Sequence, residues 1–100
     1  MSCLDGNLGA PSGVDLREAE VSHVAQRVAQ ARQHTKDAQR SAAQSFEKSA
    51  DCHDRTAASY DRLAEATHCG DDYREHAVGH REFARDDRGL TAQLRRMAES

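Results

Sequence analysis

Residues 64–76 read AEATHCGDDYREH, and Gly70 within them is the first glycine after Gly13. No Gly or Pro lies between these two glycines, so nothing in that long stretch ends a helix. Gly70 suits the left-handed residue that closes a helix, and Asp72 with Glu75 three residues later resembles a capping box. We therefore expect the chain to reverse direction here.

The apolar and small residues on both sides of this turn recur at steps of three and four, the spacing of one helix face. They predict an all-α fold, an antiparallel helical hairpin with a long first helix (about 15–68) and a second helix (about 72–98). Steps of four and four between Ala42, Phe46 and Ala50 indicate a stutter in the first helix. The predicted face of the first helix is Val21, Val24, Val28, Ala31, Thr35, Ala38, Ala42, Phe46, Ala50, His53, Ala57, Tyr60, Ala64 and Thr67. The predicted face of the second is Tyr73, His76, His80, Phe83, Asp87, Leu90, Leu94 and Met97.

The two predicted helices differ in length. At about 1.5 Å per residue the second helix covers the first only back to about Ala42, which leaves residues 14–41 without a partner in the chain. Either the long helix continues and pairs with another subunit, or it breaks near 33–37 and folds back as a three-helix bundle. We favour the long helix because no Gly or Pro marks a break. Within the second helix, Gly79 and Gly89 either permit close approach of a partner helix or mark weak points.

Composition limits the possible functions. A chain of 100 residues has room for one domain, here residues 14–100 after a flexible tail over 1–13 that contains Gly, Pro and Ser. A net charge of −3 with one adjacent basic pair, Arg95 and Arg96, argues against nucleic-acid binding. No apolar run is long enough for a membrane span. Three cysteines, an odd number, and no apolar leader segment predict a cytoplasmic protein.

Four residues suggest a metal site. His76 and His80 are one helical turn apart and could supply two nitrogen ligands to zinc. The hairpin register offers Asp61 or Glu65 on the facing helix as further ligands. The alternative interpretation is that these histidines fill a polar patch between the helices, with no cofactor bound.

The same register places His53 opposite Asp87 and Tyr60 at the level of His80. Polar groups in a helix seam can fix its register. Protonation of the histidines near pH 6 would then loosen or retune the hairpin.

The sequence contains no phosphate-binding loop, no nucleophile elbow and no convincing pair of acid and base carboxylates, which argues against an enzyme. The leading hypothesis is a non-enzymatic protein-protein interaction or self-association module that acts through coiled-coil or helix-in-groove pairing. Its partner would be a second copy, giving a homo-oligomer such as a homodimer, or a helix of another protein. The predicted interaction face is Val21, Val24, Val28, Ala31, Phe46, Leu90 and Leu94. The alternative is a metal-binding or metal-responsive protein that uses His76 and His80.

Two resemblances concern the hairpin. Residues 57–87, with Tyr60, Gly70-Asp71 and Phe83, loosely resemble a degenerate tetratricopeptide unit, which implies a helix-turn-helix. Residues 40–97 are similar to short uncharacterised Ala/Arg/His-rich helical proteins of mycobacteria and related actinobacteria, on the segments HDRTAASY (53–60), HAVGHR (76–81) and ARDDR (84–88). That resemblance implies no activity.

Overall fold

The computed structural model describes residues 13–68 and 70–100, with side chains from Asp15 onward. It contains two α-helices, α1 over Gly13–Ala66 and α2 over Gly70–Glu99, joined by a short turn. The predicted antiparallel hairpin is confirmed, and each helix begins two residues earlier than expected. The predicted tail, residues 1–13, lies outside the described residues apart from Gly13.

Helix α1 continues through residues 33–37, so the three-helix alternative is wrong. A stretch rich in Ala and free of Gly and Pro gives the backbone no reason to break there. The chain divides into two units after His34. The first unit contains the opening turns of α1, and the second contains the rest of α1, the turn and α2.

The core of the second unit, which we call the alanine core, consists of small residues that recur every seven positions. On each helix these buried positions form one row, and none of the fully buried side chains in the described part of the chain is large. Small side chains at a helix crossing allow the two axes to approach closely. The rows are Ala43, Ala50, Ala57 and Ala64 on α1, and Gly70, Ala77, Ala84, Thr91 and Ala98 on α2.

This core corrects the predicted seams. On α1 the buried residue is Ala43 rather than Ala42, so the next step, to Phe46, is three and the stutter disappears. On α2 the large residues Phe83, Leu90 and Met97 of the predicted seam are exposed, while the small residues one position further along are buried. The reason is steric: the centre of a closely packed helix pair has room for a methyl group and not for a ring.

Thr91 is the one polar side chain in the buried core of the described residues. Its Oγ1 lies 3.2 Å from the carbonyl oxygen of Ala43 on α1 and 2.9 Å from that of Asp87 in its own helix. A hydroxyl has one hydrogen to donate, so these two acceptors compete for it. The contact with Ala43 brings an α2 side chain directly to the α1 backbone, as close packing requires.

The turn differs from the predicted caps. No described glycine has a positive φ, and Gly70 begins α2 instead of closing α1 in the left-handed conformation. Asp72 lies inside the first turn of α2, beside Asp71, where acidic groups interact favourably with the helix dipole. Gly70 fits here for a different reason: a Cβ at this position would lie 3.0 Å from the carbonyl oxygen of Ala64.

Gly79 and Gly89 play no such role. A Cβ added at either position would meet nothing within 4 Å. Neither glycine therefore serves close approach within the hairpin.

Candidate functional site

The apolar row predicted near the start of α1 is exposed. Val21, Val24 and Val28 have 69%, 57% and 44% of their surface accessible, and Ala31 is exposed as well. Every residue from Asp15 to His34 falls in the exposed class. Shallow grooves lie beside this valine row, one of them lined by Val24, Arg27, Val28 and Ala31.

The second part of the predicted interaction face lies in the hairpin. Phe46 and Leu94 are half-buried, whereas Leu90 is exposed. Leu90 lies one heptad after Phe83 and one before Met97, and all three are exposed on α2. The hairpin thus carries several of its large apolar side chains on its outside.

A histidine pair joins the two helices beside the alanine core. The Nδ1 atoms of His53 and His80 lie 2.9 Å apart. Nε2 of His53 lies 4.0 Å from Oδ2 of Asp87, in agreement with the predicted register. That carboxylate oxygen is buried and has no hydrogen-bond partner in the described part of the chain.

Aromatic stacking extends this cluster toward the turn. The ring of Tyr60 stacks on His76 with centroids 5.0 Å apart, on His80 at 5.6 Å and on Tyr73 at 6.0 Å. The prediction that Tyr60 lies at the level of His80 is thereby confirmed. The cluster therefore consists of stacked rings, and the hydrogen bond between His53 and His80 within it links the two helices.

The four residues predicted to bind metal are not brought together. His76 stacks on Tyr60, and His80 hydrogen-bonds with a histidine of α1. Asp61 accepts a 2.5 Å hydrogen bond from Arg81, and Glu65 is exposed. Across residues 13–68 and 70–100, no group of three or more His, Cys, Asp or Glu side chains could hold a metal ion.

A ladder of ion pairs joins the helices at another row of heptad positions. Three arginines of α2, seven residues apart, each reach an acidic residue of α1, and those acids are also seven apart. The pairs of this ion-pair ladder are Arg81 with Asp61 at 2.5 Å, Arg88 with Asp54 at 2.6 Å and Arg95 with Glu47 at 2.6 Å. The sequence predictions did not include the ladder, although its spacing of seven is visible in the sequence.

The ladder shifts the acid-base equilibria of two arginines. The hydrogen bond to Asp61 raises the pKa of Arg81, and the hydrogen bond to Asp54 raises the pKa of Arg88. Because the pKa of each arginine is raised, the pairing stabilises the folded state at any pH below the strongly alkaline range. This stabilisation is lost only as the pH rises through that range. Both guanidinium groups are therefore cations with anionic partners already in place.

Cys52 and His53 are adjacent in sequence but engage different partners. The Sγ atom of Cys52 accepts a hydrogen bond from Nη2 of Arg55 at 3.1 Å, and the thiol is exposed. His53 faces His80 instead. The structure thus forms no thiol and imidazole pair from these two neighbours.

No described helix has a stretch long and apolar enough to cross a membrane. Comparison of the chain with protein-family models, with curated proteins and with solved structures found no match.

Proposed function

We propose that this chain is a non-enzymatic interaction module, whose first helix associates with another helix by coiled-coil or helix-in-groove pairing. The observation that carries the proposal is the exposed valine row formed by Val21, Val24 and Val28. Valines three and four residues apart form one continuous stripe on a helix, the pattern of a helix face that packs against a partner. Contiguous exposed apolar surface is typical of interaction sites.

The energetics of an isolated helix support the same proposal. Most helical stability in proteins comes from packing of an apolar face, and β-branched valines lower the helix propensity of this segment. Burial of one valine side chain contributes roughly 1.5 kcal/mol. A partner helix that covers the valine row would both stabilise α1 and remove its apolar surface from water.

The charged groups of the hairpin favour a protein partner. Three arginines of α2 already pair with acids of α1, which makes them poorly suited to bind a phosphate backbone. We propose a cytoplasmic protein without catalytic activity, which binds neither nucleic acid nor membrane. The proposed interaction residues are the valine row in the first unit and, in the second unit, Phe46, Leu90 and Leu94.

The test compares two double variants of the first unit. Val24→Asp with Val28→Asp places two charges in the valine row, while Gln26→Asp with Gln30→Asp places them elsewhere on the same helix. Sedimentation equilibrium with reductant and chelator measures the mass of each, and affinity purification compares the bound proteins. We expect only the valine variant to lose self-association or a bound partner. If its mass and its bound proteins both match the wild type, the proposal is wrong.

A further inference from the structure

The charges beside the valine row change sign along the first unit. Glu18 and Glu20 flank the row near its beginning, Arg27 and Arg32 flank it near its end, and Arg17 lies on the row itself. On a helix, Glu18 and Arg32 flank the row on one side, whereas Glu20 and Arg27 flank it on the other. Each side of the row thus begins acidic and ends basic.

The ion-pair ladder shows how such flanking positions meet in this protein. On α1, Asp54 lies four residues after the buried Ala50; on α2, Arg88 lies four residues after the buried Ala84. The two helices are antiparallel, so equivalent flanking positions face each other, and an acid there meets a base.

Beside the valine row, the position four residues after Val28 is occupied by Arg32. One heptad earlier it holds Ala25, and two heptads earlier it holds Glu18. A row that runs from acid to base is complementary to itself when one copy is reversed. Antiparallel pairing of two copies would set Glu18 of each against Arg32 of the other, with Ala25 near the twofold axis.

The opposite side of the valine row leads to the same arrangement. Antiparallel pairing sets Glu20 of one copy against Arg27 of the other, again with opposite charges. Parallel pairing in register would instead bring Arg27 of one copy beside Arg32 of the other, because in that geometry the two different flanking rows meet. Like charges at such positions are destabilising, so the charges select the antiparallel arrangement.

We propose that a second copy of this chain covers the valine row, with the two first units antiparallel and Val24 of each copy close to the twofold axis. This inference rests on the proposed interaction function and names its partner. Four ion pairs per dimer, two from Glu18 to Arg32 and two from Glu20 to Arg27, fix the orientation, while the valines supply the apolar contact.

The orientation can be tested by cross-linking the full chain with Cys3, Cys52 and Cys69 replaced by serine. Ala25→Cys places a thiol beside the twofold axis, and Gln26→Cys places one further round the same helix, away from the partner. With a short thiol-reactive cross-linker, we expect a covalent dimer from the first variant and not from the second. Equal cross-linking of both, or of neither, would overturn the antiparallel arrangement.

The charges can be tested by sedimentation of two complementary variants. Glu18→Arg with Glu20→Arg makes both flanking rows basic, and Arg27→Glu with Arg32→Glu makes both acidic. Each variant alone should self-associate about tenfold more weakly than the wild type, because several like-charge pairs replace attractive ones. An equimolar mixture should recover dimers, which also shows that both variants fold.

The outcomes separate this inference from the proposal on which it rests. A wild type that stays monomeric at high concentration, or a Glu18→Arg, Glu20→Arg variant that dimerises normally, overturns the antiparallel self-pairing. In either case the interaction function stands if Val24→Asp with Val28→Asp still removes self-association or a bound protein. It falls if that valine variant changes neither.

Discussion

The Nδ1 atoms of His53 on α1 and His80 on α2 face each other at 2.9 Å. One ring must carry the hydrogen at this contact and the other must present a lone pair, because two hydrogens cannot occupy the gap. Either ring can donate, and in both cases the hydrogen bond joins α1 to α2 beside the alanine core.

The contact predicts that the two histidines contribute to stability as a pair. His53→Ala and His80→Ala each remove the hydrogen bond, so the second substitution has less to remove once the first is made. We expect the losses in free energy of unfolding of the two single variants to sum to about 0.5–1.5 kcal/mol more than the loss of the double variant. Urea unfolding at one neutral pH measures all three variants.

A second pair of substitutions serves as the control. His76 stacks on Tyr60, and it is replaced by alanine together with His53 in the same way. The losses of this control pair should be close to additive. An equally large coupling in the control, or none between His53 and His80, would contradict the assignment.

The alanine core predicts that a larger side chain is costly at its centre. Ala84 is completely buried on α2, whereas Ala92 on the same helix is exposed. We expect Ala84→Leu to lower the free energy of unfolding by about 1–3 kcal/mol, because three extra carbons must force the helices apart. Ala92→Leu should change it by less than about 0.5 kcal/mol. Equal effects in chemical denaturation would argue against close packing at Ala84.

The three glycines of α2 should respond differently to the same substitution. Gly79→Ala and Gly89→Ala add a methyl group in open space and should each stabilise the helix by roughly 0.5–1 kcal/mol. Gly70→Ala should destabilise the fold, because its Cβ would press on the Ala64 carbonyl. Thermal unfolding, monitored by circular dichroism, measures whether each substitution raises or lowers the melting temperature. A stabilising Gly70→Ala would show that the turn is looser than described.

The ion-pair ladder should make stability sensitive to salt. Arg88→Gln removes the guanidinium that pairs with both Asp51 and Asp54, so it should lower the melting temperature at low ionic strength. The difference from the wild type should shrink in about 1 M NaCl, where charges are screened within about 3 Å. Arg85→Gln removes an exposed arginine of the same helix and serves as the control. A deficit that is equal at low and high salt would point to lost packing instead.

The sequence predicted the hairpin and the approach of His53 to Asp87 because these depend on features with a clear signal. The absence of Gly and Pro before Gly70 required a long helix, and the helical rise then set His53 against Asp87. The caps at the turn were mispredicted because Gly70 was assigned by its conformational freedom. In the structure its small size matters instead, since the Ala64 carbonyl lies where a side chain would begin.

The buried faces could not be read from hydrophobicity. Ala42 and Ala43 are identical neighbours, and only packing distinguishes the buried one from the half-buried one. On α2, hydrophobicity favoured Phe83 and Leu90 as the buried residues. Close packing instead buries the small residues beside them. The His53–His80 contact was missed because it depends on side-chain rotamers, which the spacing of residues does not specify.

A core made of methyl groups has a thermal consequence for the hairpin. Unfolding exposes little apolar surface at Ala50, Ala57, Ala77 and Ala84, and the heat capacity change of unfolding grows with the apolar surface exposed. A small heat capacity change flattens the curve of stability against temperature, so folding weakens only gradually on either warming or cooling. The hairpin is thus suited to keep much the same marginal stability across a broad range of temperatures.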